Sequence, residues 1–356
     1  MAAGEVPNFS SWMGEEEDAC KALTPFQVVF PGTHDSGSSM LTGSAVIGLS
    51  SGLNALCRVP CFRRLIGRWT ITQPGLSIHD QLVGGIRFLD FRIASASRNK
   101  RGEEELTFIL IHTFMVGYLE DALREIVRFI DSHPTELVLV SCIPYNNIDE
   151  RAYQSYVEQF LSKHACPASK LSPTTTDAGT TGSHGDSVGG DRGTPSSATT
   201  VPSIYSLTSA GHNLILIGNP EASSTPGDST VWLSKTKLVT GGPFRSLSSV
   251  EEKQDLNHQQ LANYSSNTAT EKQAVELYQL THTVTPDAKS IVKDILTCKT
   301  LISHADAMNA TLPDFVSSRL SSQHRGNIKI ITVDNFITSD VVAIAKKMLR
   351  DRLQSI

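Results

Sequence analysis

Short apolar runs alternate with helical patterns along most of the chain. The runs Gln27 to Phe30, Ile86 to Ile93, Leu106 to His112, Leu137 to Ile143, Asn213 to Gly218, Thr230 to Leu233, Glu276 to Val284 and Ile328 to Val333 predict eight strands. Between them, Gly117 to His133 sets Leu119, Leu123, Ile126, Val127 and Ile130 on one face, with Glu120, Asp121, Arg124, Glu125 and Arg128 elsewhere, the spacing of an amphipathic helix. A second helix is expected from Ser339, read as its N-cap, presenting Val341, Ile344, Ala345, Met348 and Leu349 on one side. Near-continuously apolar strands separated by such helices predict an α/β protein whose parallel sheet is covered on both faces. Eight of them predict a TIM-like βα barrel, with a doubly wound open sheet as the structural alternative.

One stretch breaks the pattern. Ser, Thr, Gly, Pro and Asp make up 24 of the 29 residues from Ser172 to Thr200, and Val188 is the only large aliphatic among them. Such a segment cannot bury enough apolar surface to offset its ordering entropy, so it is expected to be a disordered, low-complexity insertion. It divides the 356 residues into an N-terminal segment (1–25), a first half-barrel (26–171), the insertion (172–200) and a second half-barrel (201–356).

Net charge changes the list of partners. With 31 basic and 36 acidic side chains the chain carries a formal −5, which argues against a phosphate-tracking nucleic-acid surface. Six scattered cysteines without a CxxC pair read as reduced intracellular thiols rather than a disulfide framework or a zinc site. The acidic N-terminus has no apolar signal core, and no run approaches the roughly 18 apolar residues of a membrane span. A cytoplasmic location with peripheral membrane contact is the expectation.

In a βα barrel the chemistry sits at the C-terminal ends of the strands. Four runs end in polar groups there. VVF leads through a Pro31-Gly32 turn to His34, Asp35 and Ser36. In GGIRFLDFRI, Asp90 and Arg92 share a face with Ile86 and Phe88; in LTFILIH, His112 shares parity with Leu106, Phe108 and Leu110; in NIKIITVD, Asp334 shares parity with Ile328, Ile330 and Thr332. Two histidines, three carboxylates and an arginine would converge on one mouth, a set suited to cleaving a phosphodiester. Taken singly each has a plainer explanation: a structural histidine, a local Asp90–Arg92 ion pair, an aspartate serving its own turn.

FPGTHDSGS, WTITQPGLSIHDQLVGGIRFLDFRIA, LTFILIHTFMVGYLEDALREIVRFIDSHPTELVLVSC and NIKIITVDNF, with SWM near the N-terminus, resemble the phosphatidylinositol-specific phospholipase C X-domain family. The likeness is strongest to the short eukaryotic X-domain-only members, with the bacterial phosphatidylinositol phospholipases C and the trypanosome glycosylphosphatidylinositol phospholipase C more distant. It runs from Trp12 to about Leu349. The resemblance implies a distorted, incompletely closed barrel, and attack by the inositol 2-hydroxyl on phosphorus that releases diacylglycerol and inositol 1,2-cyclic phosphate. It implies His34 as general base, His112 as general acid, Asp35 as the carboxylate paired with the acid, Arg92 as the phosphate-binding cation, Asp90 as the acidic residue two before it, and Asp334 as the carboxylate orienting the base. An X-domain barrel that only binds headgroups or acts as a scaffold is the alternative.

No cofactor or metal is expected. Calcium-dependent relatives place a carboxylate where Arg92 stands, and a guanidinium there repels a hard cation; Ile143 likewise stands near a glutamate of those relatives. This also counts against the metal-dependent glycerophosphodiester phosphodiesterases. Two departures are visible: His112-Thr113 where many relatives have HG, and DNF where the family reads DF. Asn219, Trp232 and Lys235 are the candidates for headgroup binding. LNALCRVPCFRRLIGRW, residues 53 to 69, interleaves four arginines with apolar positions and is either a solvated basic face or an interfacial patch for anionic lipid, with Cys57 and Cys61 as acylation candidates.

Overall fold

The computed structural model describes residues 5–42, 59–60, 66–100, 103–145, 148–172, 201–224, 230–241, 247, 249–268, 270–286, 290–291, 293–294, 297 and 299–356. The expected insertion beyond Ser172, most of the basic segment 53–69, and Cys57 and Cys61 lie outside the described residues.

Eight strands run parallel: β1 (Phe30–Thr33), β2 (Phe88–Lys100), β5 (Val138–Pro144), β6 (Leu214–Gly218), β7 (Trp232–Ser234), β8 (Leu238–Thr240), β9 (Leu277–Thr281) and β10 (Ile328–Val333). They hydrogen-bond in the order β7-β6-β5-β2-β1-β10-β9-β8. The two ends of that order, β7 and β8, are consecutive in the chain, linked by the turn Lys235–Lys237. Parallel neighbours need a crossover of a dozen residues or more. A three-residue link cannot supply one, so these two edges form no ladder and the barrel stays incompletely closed, as expected.

The strand list needs three corrections. The run ending in His112 is not a barrel strand: β3 (Glu103–His112) pairs antiparallel with β2 and continues into β4 (Phe114–Tyr118), a meander hung on the barrel. The eighth barrel strand is β8, whose three residues are too few for an alternation to show. The first strand is also displaced. Pro25–Gln27 forms a 3₁₀ turn, and β1 begins at Phe30 and includes Pro31 and Gly32. Gly32 is fixed by packing, because a Cβ there would meet Phe88 at 2.9 Å and Thr332 at 3.0 Å from the flanking strands.

The helix expected after Gly117 spans Leu119–Ser132 and buries Leu119, Leu123, Ile126, Phe129 and Ile130 against the barrel. The last helix is Val341–Leu353; Ser339 does not cap it but donates to the Phe336 carbonyl, and Asp340 occupies the N-cap position. At the base, Arg87 and Glu136 form an ion pair at 2.6 Å with both side chains fully buried. Arg87 also donates to the carbonyls of Leu82, Ile86, Phe9 and Ser10, while Glu136 accepts from the Met13 and Gly14 amides. Every polar atom of the pair finds a partner, which offsets its desolvation and straps the N-terminal segment to the barrel. Among the described residues no helix is long and apolar enough to cross a membrane.

Candidate active site

Four loops bring the candidate residues together at the C-terminal ends of the strands. His34 and Asp35 follow β1 in a turn that both neighbouring strands hold: the His34 amide donates to Val333 O (3.0 Å) and the Ser36 amide to Asp90 O (2.9 Å). Thr72 Oγ1 donates to the carbonyls of His34 and Asp35, and Gln73 bridges Val333 O and the Phe336 amide. The Thr72-Gln73 pair therefore fastens the two loops that carry the site and makes no contact with the reacting groups.

Asp35 is the hub. Its Oδ2 lies 3.5 Å from His34 Nε2 and 3.2 Å from His112 Nε2, and its Oδ1 accepts from Arg92 Nε at 3.1 Å. Arg92 Nη2 donates to Asp90 Oδ2 at 2.9 Å. On the far side of His34, Nδ1 meets Asp334 Oδ1 at 3.1 Å. The two imidazole centroids are 6.3 Å apart and edge-on. His112 Nδ1 faces Thr70 O at 2.6 Å, so each ring has an acceptor at both nitrogens and both are placed to donate.

Electrostatics follow from this packing. Burial works against a charged His34, but Asp35, Asp334 and Asp90 outweigh it and raise its pKa to about 9. Burial likewise works against the Asp35 carboxylate, yet His112, His34 and Arg92 pull its pKa down to about 2. Arg92 is held even more firmly charged than usual, chiefly by Asp90.

Among the described residues three that are not glycine have positive φ, and all lie in this site: Asp35 (44°), Thr113 (67°) and Asn335 (46°). Asp and Asn tolerate the left-handed region. Asn335 uses it to donate its amide to Thr72 O and its side chain to Asp306, which accommodates the extra residue of DNF and leaves Asp334 against His34. Thr113 is β-branched and carries real strain there. That turn swings His112 over the mouth from β3, not from the end of a barrel strand.

The cleft, of about 330 Å³, is lined by His34, Asp90, Arg92 and Ile143 together with Lys253, Leu256, Tyr278 and Gln279. The three headgroup candidates are not in it. Trp232 is fully buried and donates Nε1 to Glu158 at 2.7 Å; Asn219 donates to Glu150, and Lys235 lies 3.8 Å from the same carboxylate. Lys253, on helix Val250–Asn267, has no counterpart among the candidates, since nothing local in that polar stretch marks which side packs.

Ligand-type atoms of His34, Asp35 and Asp90 lie within 4.8 Å of one another, a spacing that a metal ion could span. Yet Arg92 donates to both carboxylates, so its guanidinium already fills the space between them. The donor set does not fit a hard dication while Arg92 holds that position.

No family model matches the chain. It is 27% identical to human PI-PLC X domain-containing protein 2 over 171 residues, 47% of this chain and 54% of that protein. It is 31% identical to mouse PI-PLC X domain-containing protein 1 over 141 residues, 36% of this chain and 40% of that one. The chain thus spans about half the length of the curated relatives it matches. Its fold resembles a phosphatidylinositol-specific phospholipase C of Listeria monocytogenes (TM-score 0.56, 15% identity, 97% of this chain and 99% of that one). That of Staphylococcus aureus gives a TM-score of 0.55 at 14% identity, over 95% and 97%. Over about half its length the chain is similar to the PI-PLC X domain-containing proteins, and its barrel resembles that of the bacterial phospholipases C.

Proposed function

We propose that the chain is a metal-independent phospholipase C-type phosphodiesterase that cleaves phosphatidylinositol-type lipids. The observation that carries this reading is the single carboxylate, Asp35, touching two histidines and an arginine at the mouth of the barrel. In it, His34 takes the proton of the inositol 2-hydroxyl as that oxygen bonds to phosphorus. The bond from phosphorus to the glycerol oxygen breaks, and His112 gives its proton to the departing diacylglycerol oxygen, leaving a cyclic inositol phosphate. Arg92 holds the phosphoryl oxygens as charge builds, Asp334 orients His34, and Asp90 and Asp35 hold Arg92.

The two half-barrels, 26–171 and 201–356, act as one unit in this reading. The scattered thiols and a lipid substrate support a cytoplasmic protein in peripheral contact with a membrane. A headgroup-binding or scaffold role is favoured by one observation: three carboxylates keep His34 proton-loaded near neutral pH, where a base must be free. Incubation with radiolabelled phosphatidylinositol in detergent micelles, with chelator present, decides between them. Cyclic inositol phosphate is expected; its complete absence, with lipid still bound, leaves the binding role.

A further inference from the structure

Asp334 meets His34 from the start of a sharp turn, in which Asn335 sits at φ 46° with its amide on Thr72 O at 2.7 Å. Two side chains of one helix grip that turn from behind. Asn309, 2% exposed at the end of helix Leu301–Asn309, donates Nδ2 to Asp334 O (2.8 Å), Asn335 O (3.1 Å) and Thr338 Oγ1 (3.0 Å). Three residues back, on the same face, Asp306 Oδ1 accepts from Asn335 Nδ2 (2.6 Å) and Thr338 Oγ1 (2.8 Å). Two carbonyls fix which end of the Asn309 amide faces the turn, since only its nitrogen can donate to them. That orientation leaves Oδ1 buried with no partner among the described residues. Such an acceptor is unfavourable, and the bonds that Nδ2 makes to the turn are what offset it.

The helix that carries the pair is itself fixed. Thr300 and Ser303 form a capping box at its start, and fully buried His282, directly after β9, meets the Met308 carbonyl through Nε2 at 3.0 Å. A carboxylate that orients an imidazole needs rigid support, because small displacements undo the alignment. Resting on the phosphodiesterase reading, we propose that Asn309 and Asp306 are positioning residues for that reaction, holding the Asn335 turn so that Asp334 stays against Nδ1 of His34 and Nε2 stays turned toward the mouth. The other charged or titratable groups around His34 are Asp35, Asp90, Arg92 and His112, with Lys253 in the same cleft. Of all these, Asn309 is hydrogen-bonded to Asp334 alone, through its backbone carbonyl.

Three variants of the full chain test this. Asn309→Ala removes three bonds to the turn. Asp306→Ala removes the other two from an exposed position, and decides the matter if the first variant does not fold. Asp306→Asn loses the same charge but keeps an oxygen to accept both bonds. The readouts are NMR titration of the His34 ring in the resting protein, and kcat and KM on phosphatidylinositol micelles across pH. Asn309→Ala and Asp306→Ala are expected to move the His34 titration and the rising limb downward. They should lower plateau kcat about tenfold, less than loss of the base itself, with KM changed less than about twofold. Asp306→Asn should behave as the unmodified chain, and in an Asp334→Asn background neither alanine should move the limb further. A lowered melting temperature with the His34 titration and kcat unchanged would overturn the proposal, as would full additivity with Asp334→Asn; both would spare the phosphodiesterase reading. The downward His34 shift in a chain that yields no cyclic product would do the reverse, leaving the grip on Asp334 standing while that reading falls.

Discussion

His112 Nε2 stands 3.2 Å from Oδ2 of Asp35, although the two residues belong to different loops and 77 positions separate them. The same oxygen faces His34 at 3.5 Å, so one carboxylate connects the proposed base to the proposed acid. Asp35→Asn keeps the size and the tolerance of left-handed backbone but removes the charge that both rings and Arg92 share. It should lower kcat by at least about 10², the scale on which positioned acid–base groups act. Circular dichroism should show the fold retained. Near-full turnover by Asp35→Asn would mean that the histidines work without it.

The raised His34 pKa gives a pH dependence with a definite sign. Its ordinary value is about 6.5 and the folded value about 9, so the imidazolium contributes stability that is complete below about pH 6.5 and lost as pH climbs through about 9. Activity runs the other way, because the base must be neutral. The rising limb of kcat/KM should sit well above pH 6.5, and Asp334→Asn, by removing the carboxylate at 3.1 Å, should move it downward. Kinetics across pH 5 to 10, with the His34 ring followed by NMR, would show both; a limb at or below 6.5 would refute the assignment of His34.

Much of this site is legible in the sequence, for a physical reason. Asp90, Arg92 and Asp334 lie on or just beyond parallel strands, where period two fixes which side chains share a face, and His34 and Asp35 directly follow the strand that Pro31 and Gly32 belong to. His112 is legible only by accident: alternation along Leu106 to His112 is the same for a parallel and an antiparallel strand, and it is a left-handed Thr113 that brings the ring over the mouth. β8 is too short to carry a pattern. Asn219, Trp232 and Lys235 lie in or just after apolar runs as the site residues do, but they pair with Glu150 and Glu158 outside the cleft lining, and partners so far along the chain leave no local trace.

Thr113 offers a stability test. A β-branched residue at φ 67° is held in a region that glycine occupies freely, at a cost of order 1 to 3 kcal/mol, partly offset by the greater freedom of glycine in the unfolded chain. Thr113→Gly should therefore raise stability by about 1 kcal/mol in urea unfolding and leave His112 against Asp35. Turnover should be maintained. A destabilised Thr113→Gly would show that the threonine side chain contributes more than its backbone costs.

The proposed independence from metal turns on Arg92. Its guanidinium donates at 3.1 Å to Asp35 and 2.9 Å to Asp90, and a fork is the geometry that holds two carboxylates and still presents N–H groups to phosphate. Activity should survive excess chelator. Arg92→Lys, which keeps the charge but not the fork, should lose about 10²-fold, comparable to removing one oxyanion donor. Arg92→Asp would vacate the space beside Asp35, Asp90 and His34 and add a third carboxylate there, so its residual activity should respond to Ca²⁺, a cation that prefers several oxygen ligands. Were the unmodified chain silenced by chelation and restored by Ca²⁺, Arg92 would not be the cation on which the reaction depends, whatever the fold.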